Sequence, residues 1–395
     1  MRLTMNKQSA LFLLRKLRAE SPRFPAGFRR VDIAAPDPSP GKHLTHGALR
    51  RLFIELGFPE TCESFFLAMP SGKGRVKARG VRCTTYEKGI PPESFIVAGN
   101  GMVISGPELL FTELADSMHP LEHLMLGHEL CGTFSRDPGN PYNGPVAFGV
   151  RPLTTAERIR DFTRRARGIR GIGAARETAR FLDDNAWSPT ESLIAAMLRL
   201  PVDSLGYGFG ELVLNPRVDK ASALPGARES RVPDIMISGT TAGVNYDGLV
   251  HLDLQSIVRA AVDVGAHPGS AENARILQGA IREVRIKAVD DVRRNRELST
   301  RGLSVLPVLM EDLYTPGGMD SIAAHLVSAI EGRGERDMSE VKRHFGKRAL
   351  SDARYRKMLS LLPGSHERNV EVGRFIQGFR VADGPGTVVE CLVEF

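Results

Sequence analysis

Cysteine is sparse and scattered. The four present, Cys62, Cys83, Cys131 and Cys391, lie far apart and form no C-x-x-C pair. Neither a disulfide framework nor a cysteine zinc site is expected, and a reducing, cytoplasmic setting fits. No apolar run approaches the length needed to cross a bilayer, which argues against a membrane partner. The short apolar patch Ala10 to Leu14 is followed at once by Arg15, Lys16 and Arg18, which is not the order of a secretory signal. Internal repeats and low-complexity tracts are missing too.

What is present is an ordinary globular composition, 42% hydrophobic and 25% charged, over 395 residues, long enough for two or three cores. The charge is uneven. Residues 1–80 hold 15 Lys and Arg against 6 Asp and Glu, whereas the remaining 315 hold 38 against 40. A basic bias of this kind can attract phosphate backbones, or it can be a solvated surface with no ligand.

Periodicity and punctuation predict an α/β multidomain chain of four regions. A basic helical region, 1–60, has helices over 6–19 and 47–56, the second capped by Thr45. An α/β middle region, 61–186, opens with short strands at 65–69, 76–83, 93–97 and 101–104. Helices follow from Pro107, from Pro120 and from Ala156, where Thr154 and Glu157 have capping-box spacing. The third region is 187–315. The fourth, 316–395, is a small α+β unit with helices near 320–330, 339–345 and 350–362 and a strand over the alternating residues 386–395.

Residues 188–314 concentrate the acids whose positions suggest chemistry. Ser188-Pro189-Thr190-Glu191 opens a helix, and Glu191 can either return a bond to the backbone as the acid of a capping box or face a sheet and hold a metal ion. Asp234 follows Pro233 in an apolar strand, where a carboxylate needs a cation, several donors or an exposed end; a salt bridge to Arg231 is the plain alternative. Asn245 and Asp247 are two residues apart on the next strand and so are expected on one face. His251 follows closely. The charged helix expected over 282–301 carries Arg293, Arg294 and Arg296, which can contact phosphates, while Asp291 and Arg294 have the spacing of a surface ion pair.

Three motifs, Val232-Pro233-Asp234, Tyr246-Asp247-Gly248 with His251, and Asp291 through Arg294 and Leu298 to Gly302, give this stretch a resemblance to the very-short-patch-repair type of endonuclease-like domain, a branch of the PD-(D/E)xK (restriction-endonuclease-like) fold. Upstream, four further segments resemble the abortive-infection, type IV antitoxin family, which actinobacterial proteins join to such a domain. They are Leu44 to Ala48, Ser105 to Phe111, Gly127 to Phe134, and Ser188 to Glu191 with Leu198 to Pro201. The resemblance spans roughly residues 44–314. It implies DNA binding, Mg²⁺ held by Asp234, Asp247 and Glu191 around an attacking water, proton transfer helped by His251, and a cognate toxin protein as a partner. One departure bears on activity: the family has Glu before Tyr-Asp-Gly and this chain has Asn245, an amide that supplies an acceptor but no charge. The lysine of PD-(D/E)xK is also replaced, with Asp247 in its place as in this branch.

A rival constellation is His119-Pro120-Leu121-Glu122-His123, which has the H-x-x-E-H spacing of an inverted zinc protease, with His128 nearby. Pro120 at the helix start takes His119 out of regular geometry, and no downstream acid completes the site. Two readings therefore go forward: a DNA-binding protein of endonuclease-like fold that cuts with Mg²⁺, and a non-enzymatic regulator or antitoxin that binds an operator or a partner protein.

Overall fold

The computed structural model describes residues 3–21, 24, 28–33, 45–72, 76–86, 89–99, 101–219, 230–247, 254–267 and 269–362. In chain order the first unit runs β1 (Leu3–Met5), α1 (Lys7–Glu20), β2 (Arg30–Val31), α2 (His46–Glu55), β3 (Phe65–Met69), β4 (Val81–Thr85), β5 (Phe95–Gly99), β6 (Met102–Ser105), α3 (Pro107–Leu114) and α4 (Pro120–Cys131). Its six strands form one mixed sheet in the order β2-β5-β6-β1-β3-β4. β1 lies inside that sheet, parallel to β6 with Leu3 opposite Met102 and antiparallel to β3 with Met5 opposite Leu67. Residues 1–60 and 61–105 thus share a sheet, because Leu3, Met5, Leu67 and Ile104 are all fully buried and must be covered together.

Then come a small ribbon, β7 (Phe134–Ser135) with β8 (Ala147–Phe148), and two short helices, α5 (Ala156–Arg165) and α6 (Ile172–Ala179). The cap of α5 is Thr155, whose hydroxyl accepts from Arg158 N. Thr154 instead donates to Glu108 Oε1 at 2.6 Å, so the expected Thr154/Glu157 capping box does not form.

The second sheet follows α7 (Pro189–Arg199). It is built from β9 (Leu212–Leu214), β12 (Ile235–Ile237), β13 (Ala242–Asp247) and β14 (Ser304–Leu309), ordered β14-β13-β12-β9, with β10 (Val218–Asp219) and β11 (Ser230–Arg231) as a side ribbon. β9, β12 and β13 are antiparallel neighbours, and β14 returns parallel to β13 with Asn245 opposite Pro307. The crossover is made by α8 (Leu254–Ala266) and the long α9 (Ala271–Thr300). A parallel return of this kind needs a long connection, commonly a helix.

Four helices complete the described chain: α10 (Met310–Tyr314), α11 (Gly318–Gly332), α12 (Ser339–Lys342) and α13 (Arg348–Leu359). They clasp the second sheet. Glu335 accepts from Thr241 N, Arg336 donates to Phe209 O, and Tyr207 donates to Asp320 at 2.8 Å. The strand expected over 386–395 lies outside the described residues. One apolar cluster runs from Leu3 through Ile194, Ile235 and Val308 to Leu362, and it is continuous across the divisions drawn at residues 60, 186 and 315. The protein is a mixed α/β chain with two principal sheets bridged by α4 packed on α7. Among the described residues no helix is long and apolar enough to cross a membrane.

Candidate functional site

Three chain segments meet at one end of the second sheet: the N-terminus of α7, the start of β12 and the middle of β13. Ser188 caps α7, its hydroxyl accepting from Glu191 N at 3.2 Å, with Pro189 at the first helical position where the missing N–H costs nothing. Glu191 does not close the box on Ser188. Its Oε1 accepts from Trp187 N at 3.2 Å and from Asn215 Nδ2 at 2.7 Å, and the residue is 4% exposed. Burial first, and then the negative charge of Asp234, push its carboxyl up to about 8. Glu191 and Asp234 are therefore electrostatic neighbours although distant in sequence.

Asp234 precedes β12. Its Oδ2 accepts from Tyr246 N at 2.6 Å, its carbonyl accepts from Asn215 N, and its own N–H donates to Asn245 Oδ1 at 3.0 Å. These bonds fix both ends of the residue to the neighbouring strands. Asn245, fully buried, donates from Nδ2 to Asn295 of α9 at 3.3 Å. Asn215 sits just past β9 with φ of +49°, a left-handed conformation that asparagine tolerates better than most residues. Its Nδ2 also donates to Asn185 O. The cluster is thus two acids and three asparagine amides, on or beside five elements, α7, β9, β12, β13 and α9.

Arg231 does not pair with Asp234. It forms a bidentate ion pair with Glu297 at 2.7 and 2.9 Å and a longer contact to Asp290, locking β11 to α9. Asp247 is the last residue of β13, its backbone opposite Leu309; its side chain and the whole of His251 lie outside the described residues. On α9, Arg293 and Arg296 are exposed, and Arg294 is half-buried and ion-paired with Asp291 at 3.4 Å, the spacing read from the sequence. The same helix exposes Ile286, Val289 and Val292, so its outer surface is both basic and apolar.

Among the described residues, no group of three or more His, Cys, Asp or Glu side chains is placed to hold a metal ion. Glu191 and Asp234 supply two carboxylates of the oxygen type that a hard cation takes. The zinc rival comes apart. His119 is the cap of α4, its Nδ1 accepting from Leu121 N; His123 stacks on Phe111 at 3.9 Å and donates to Phe111 O; His128 lies 3.1 Å from the Ser192 hydroxyl. Glu122 accepts from Tyr142 and pairs with Lys357.

The upstream motifs turn out to hold the fold. Glu108 is clamped by Arg30 through two bonds and by Thr154, and Glu129 by Arg15 through two. Sequence reasoning did not single out Asn215. Its only signal is an asparagine before a proline at the end of a short apolar run, a pattern shared with countless turns. Compared with family models, with curated proteins and with solved structures, the chain matches none.

Proposed function

We propose that residues 188–314 form an endonuclease-like domain of the PD-(D/E)xK type through which the protein binds DNA, with Mg²⁺-dependent cleavage as the reaction to test. The observation that carries this reading is the meeting of Glu191, Asp234 and Asn245 at one sheet end, on a helix and two adjacent strands. The element order supports it: helix, three antiparallel strands, helical crossover, then a fourth strand parallel to the third. Glu191 and Asp234, with Asp247 as the third acid the sequence offers, are the residues that would hold the cation. When bound, it would lower the pKa of an attacking water and neutralise phosphate charge. The chain's own contribution is positional. Tyr246 N and Asn245 fix Asp234, Asn215 fixes Glu191, and Arg293 and Arg296 offer exposed cations for phosphates. His251 is the residue proposed to move a proton.

A second reading, a regulator or antitoxin that binds an operator or a cognate toxin without cutting, is favoured by Asn245. Its amide is fully buried and engaged at both ends, to Asp234 N and to Asn295, and so serves the sheet rather than a cation. The experiment is plasmid cleavage with Mg²⁺ or Mn²⁺, wild type against Asp234→Asn, which keeps an acceptor for Tyr246 N. Metal-dependent nicking reduced about 100-fold or more in the variant is the expected result. Salt-sensitive DNA binding without cleavage, equal in both proteins, selects the second reading. Absence of both cleavage and DNA binding overturns the nucleic-acid assignment.

A further inference from the structure

A partly open cavity of about 390 Å³ lies between α1, the segment 58–64, α4 and the loop 136–142, within the range of small-molecule sites, roughly 300–1,000 Å³. Its walls are mainly apolar, with Phe12, Phe58, Met118 and Leu126 among them. Phe12 and Phe58 stack at 4.0 Å. At its polar end stands Arg136, only 5% exposed. The backbone N of Arg136 donates to Glu129 Oε1 at 3.0 Å, but its guanidinium makes no hydrogen bond: Nε and Nη2 are buried without an acceptor. Its Cζ lies 5.4 Å from the centre of the Tyr142 ring, and Glu129 and Glu122, which also line the cavity, are the carboxylates whose charge it feels.

The charges around it do not balance. Arg15 spends two donors on the Glu129 carboxylate, and Arg18 is tied to the carbonyls of Glu129, Gly132 and Arg151. Three buried guanidinium groups thus face one carboxylate. Glu122 is already committed to Tyr142 and Lys357. Water in the cavity can supply acceptors to Arg136 but not the missing negative charge. A guanidinium presents a planar fork that a carboxylate matches with two parallel bonds.

We propose that this cavity is a binding site for a small monoanionic carboxylate with an apolar body, the carboxylate on Arg136 and the body against Phe12, Phe58 and Leu126. Nothing in this assignment depends on the DNA-binding reading of residues 188–314, and either can fail alone.

The test is calorimetric titration of the full chain with octanoate and with 3-phenylpropanoate, alongside 1-octanol as a neutral match and octyl phosphate as a dianion. Expected are saturable one-to-one binding of at least one carboxylate, weakening of about tenfold or more in Arg136→Met, and 1-octanol binding at least tenfold more weakly. Met118→Trp, which fills the cavity and leaves Arg136 in place, is expected to abolish binding, and it carries the test if Arg136→Met does not fold. No saturable binding of either carboxylate, or equal binding to wild type and both variants, overturns the proposal. Tighter binding of octyl phosphate than of both carboxylates overturns the ligand class.

Discussion

Glu129 and Glu191 are both buried acids on helices that pack against each other, α4 and α7, yet the chain treats them in opposite ways. Burial works against ionisation of Glu129, but the charge and two hydrogen bonds of Arg15 outweigh it and hold its carboxyl below the usual range. Glu191 is met by amides and a backbone N–H. Among the described residues it has no cationic partner, and its carboxyl rises to about 8 beside Asp234. On α4 a buried charge is neutralised where it stands, which is how a fold is pinned. At the end of the second sheet two acids are brought together with only neutral donors around Glu191, so the charge of each raises the cost of ionising the other.

Matched substitutions sharpen this contrast. Glu129→Gln is expected to destabilise the protein by about 3–5 kcal/mol, because Arg15 is left buried opposite an amide. Glu191→Gln should be neutral or slightly stabilising in chemical denaturation without metal, since its Oε1 keeps both hydrogen bonds. Equal losses in the two variants would erase the distinction. Next in size is an acid-side effect that belongs to the first unit and its packing on α7. Burial lowers both His123 and His128 to about 4 from 6.5. Their neutral forms contribute stability that is fully present above pH 6.5 and lost as pH falls toward 4. The loss is on the order of 3 kcal/mol per histidine. A His123→Phe variant, keeping the stack on Phe111, should show a shallower decline, and an unchanged slope would count against the histidine as its source.

Asn245→Glu tests the second sheet directly. A third acid beside Glu191 and Asp234 should cost roughly 1–3 kcal/mol in chelator, with the loss recovered in millimolar Mg²⁺; a thermal shift indifferent to the ion would argue that no cation is held there. The smallest effect is expected from Arg293→Gln and Arg296→Gln. Each should lower the salt slope of DNA binding by about one while leaving folding unaltered. Unchanged slopes would move the nucleic-acid surface away from α9.

Much of the helical framework was readable because its signals are local. Thr45 and Ser188 cap the helices they precede, and Pro189 starts one. Where two equivalent signals are adjacent, spacing alone cannot choose. Thr154 and Thr155 differ only in that Thr154 faces buried Glu108, a partner 46 residues away. β1 has three residues and no period to detect, and α8 and β9 were likewise not anticipated. At the site, Glu191, Asp234 and Asn245 are named from sequence, but Asn215 is not, and Arg231, the alternative partner offered for Asp234, pairs with Glu297 and Asp290 instead. Both concern which long-range partner a polar side chain finds, and that is decided by the sheet and the crossover helix together.

The place of β1 has a consequence for how the chain is made. Its three residues precede their partners in β3 and β6 by some 60 and 100 positions. Until Phe65 to Met69 emerge neither edge of β1 has a partner, and the edge that takes β6 stays open until Met102 to Ile104 have left the ribosome. Loop closure over such a span is slow and leaves the nascent segment prone to self-association. Synthesis of this protein in cells should therefore lean on chaperones that shield short apolar segments, and Leu3→Asp, which spoils the pairing of β1, should lower the soluble yield far more than the same change on an exposed helix face.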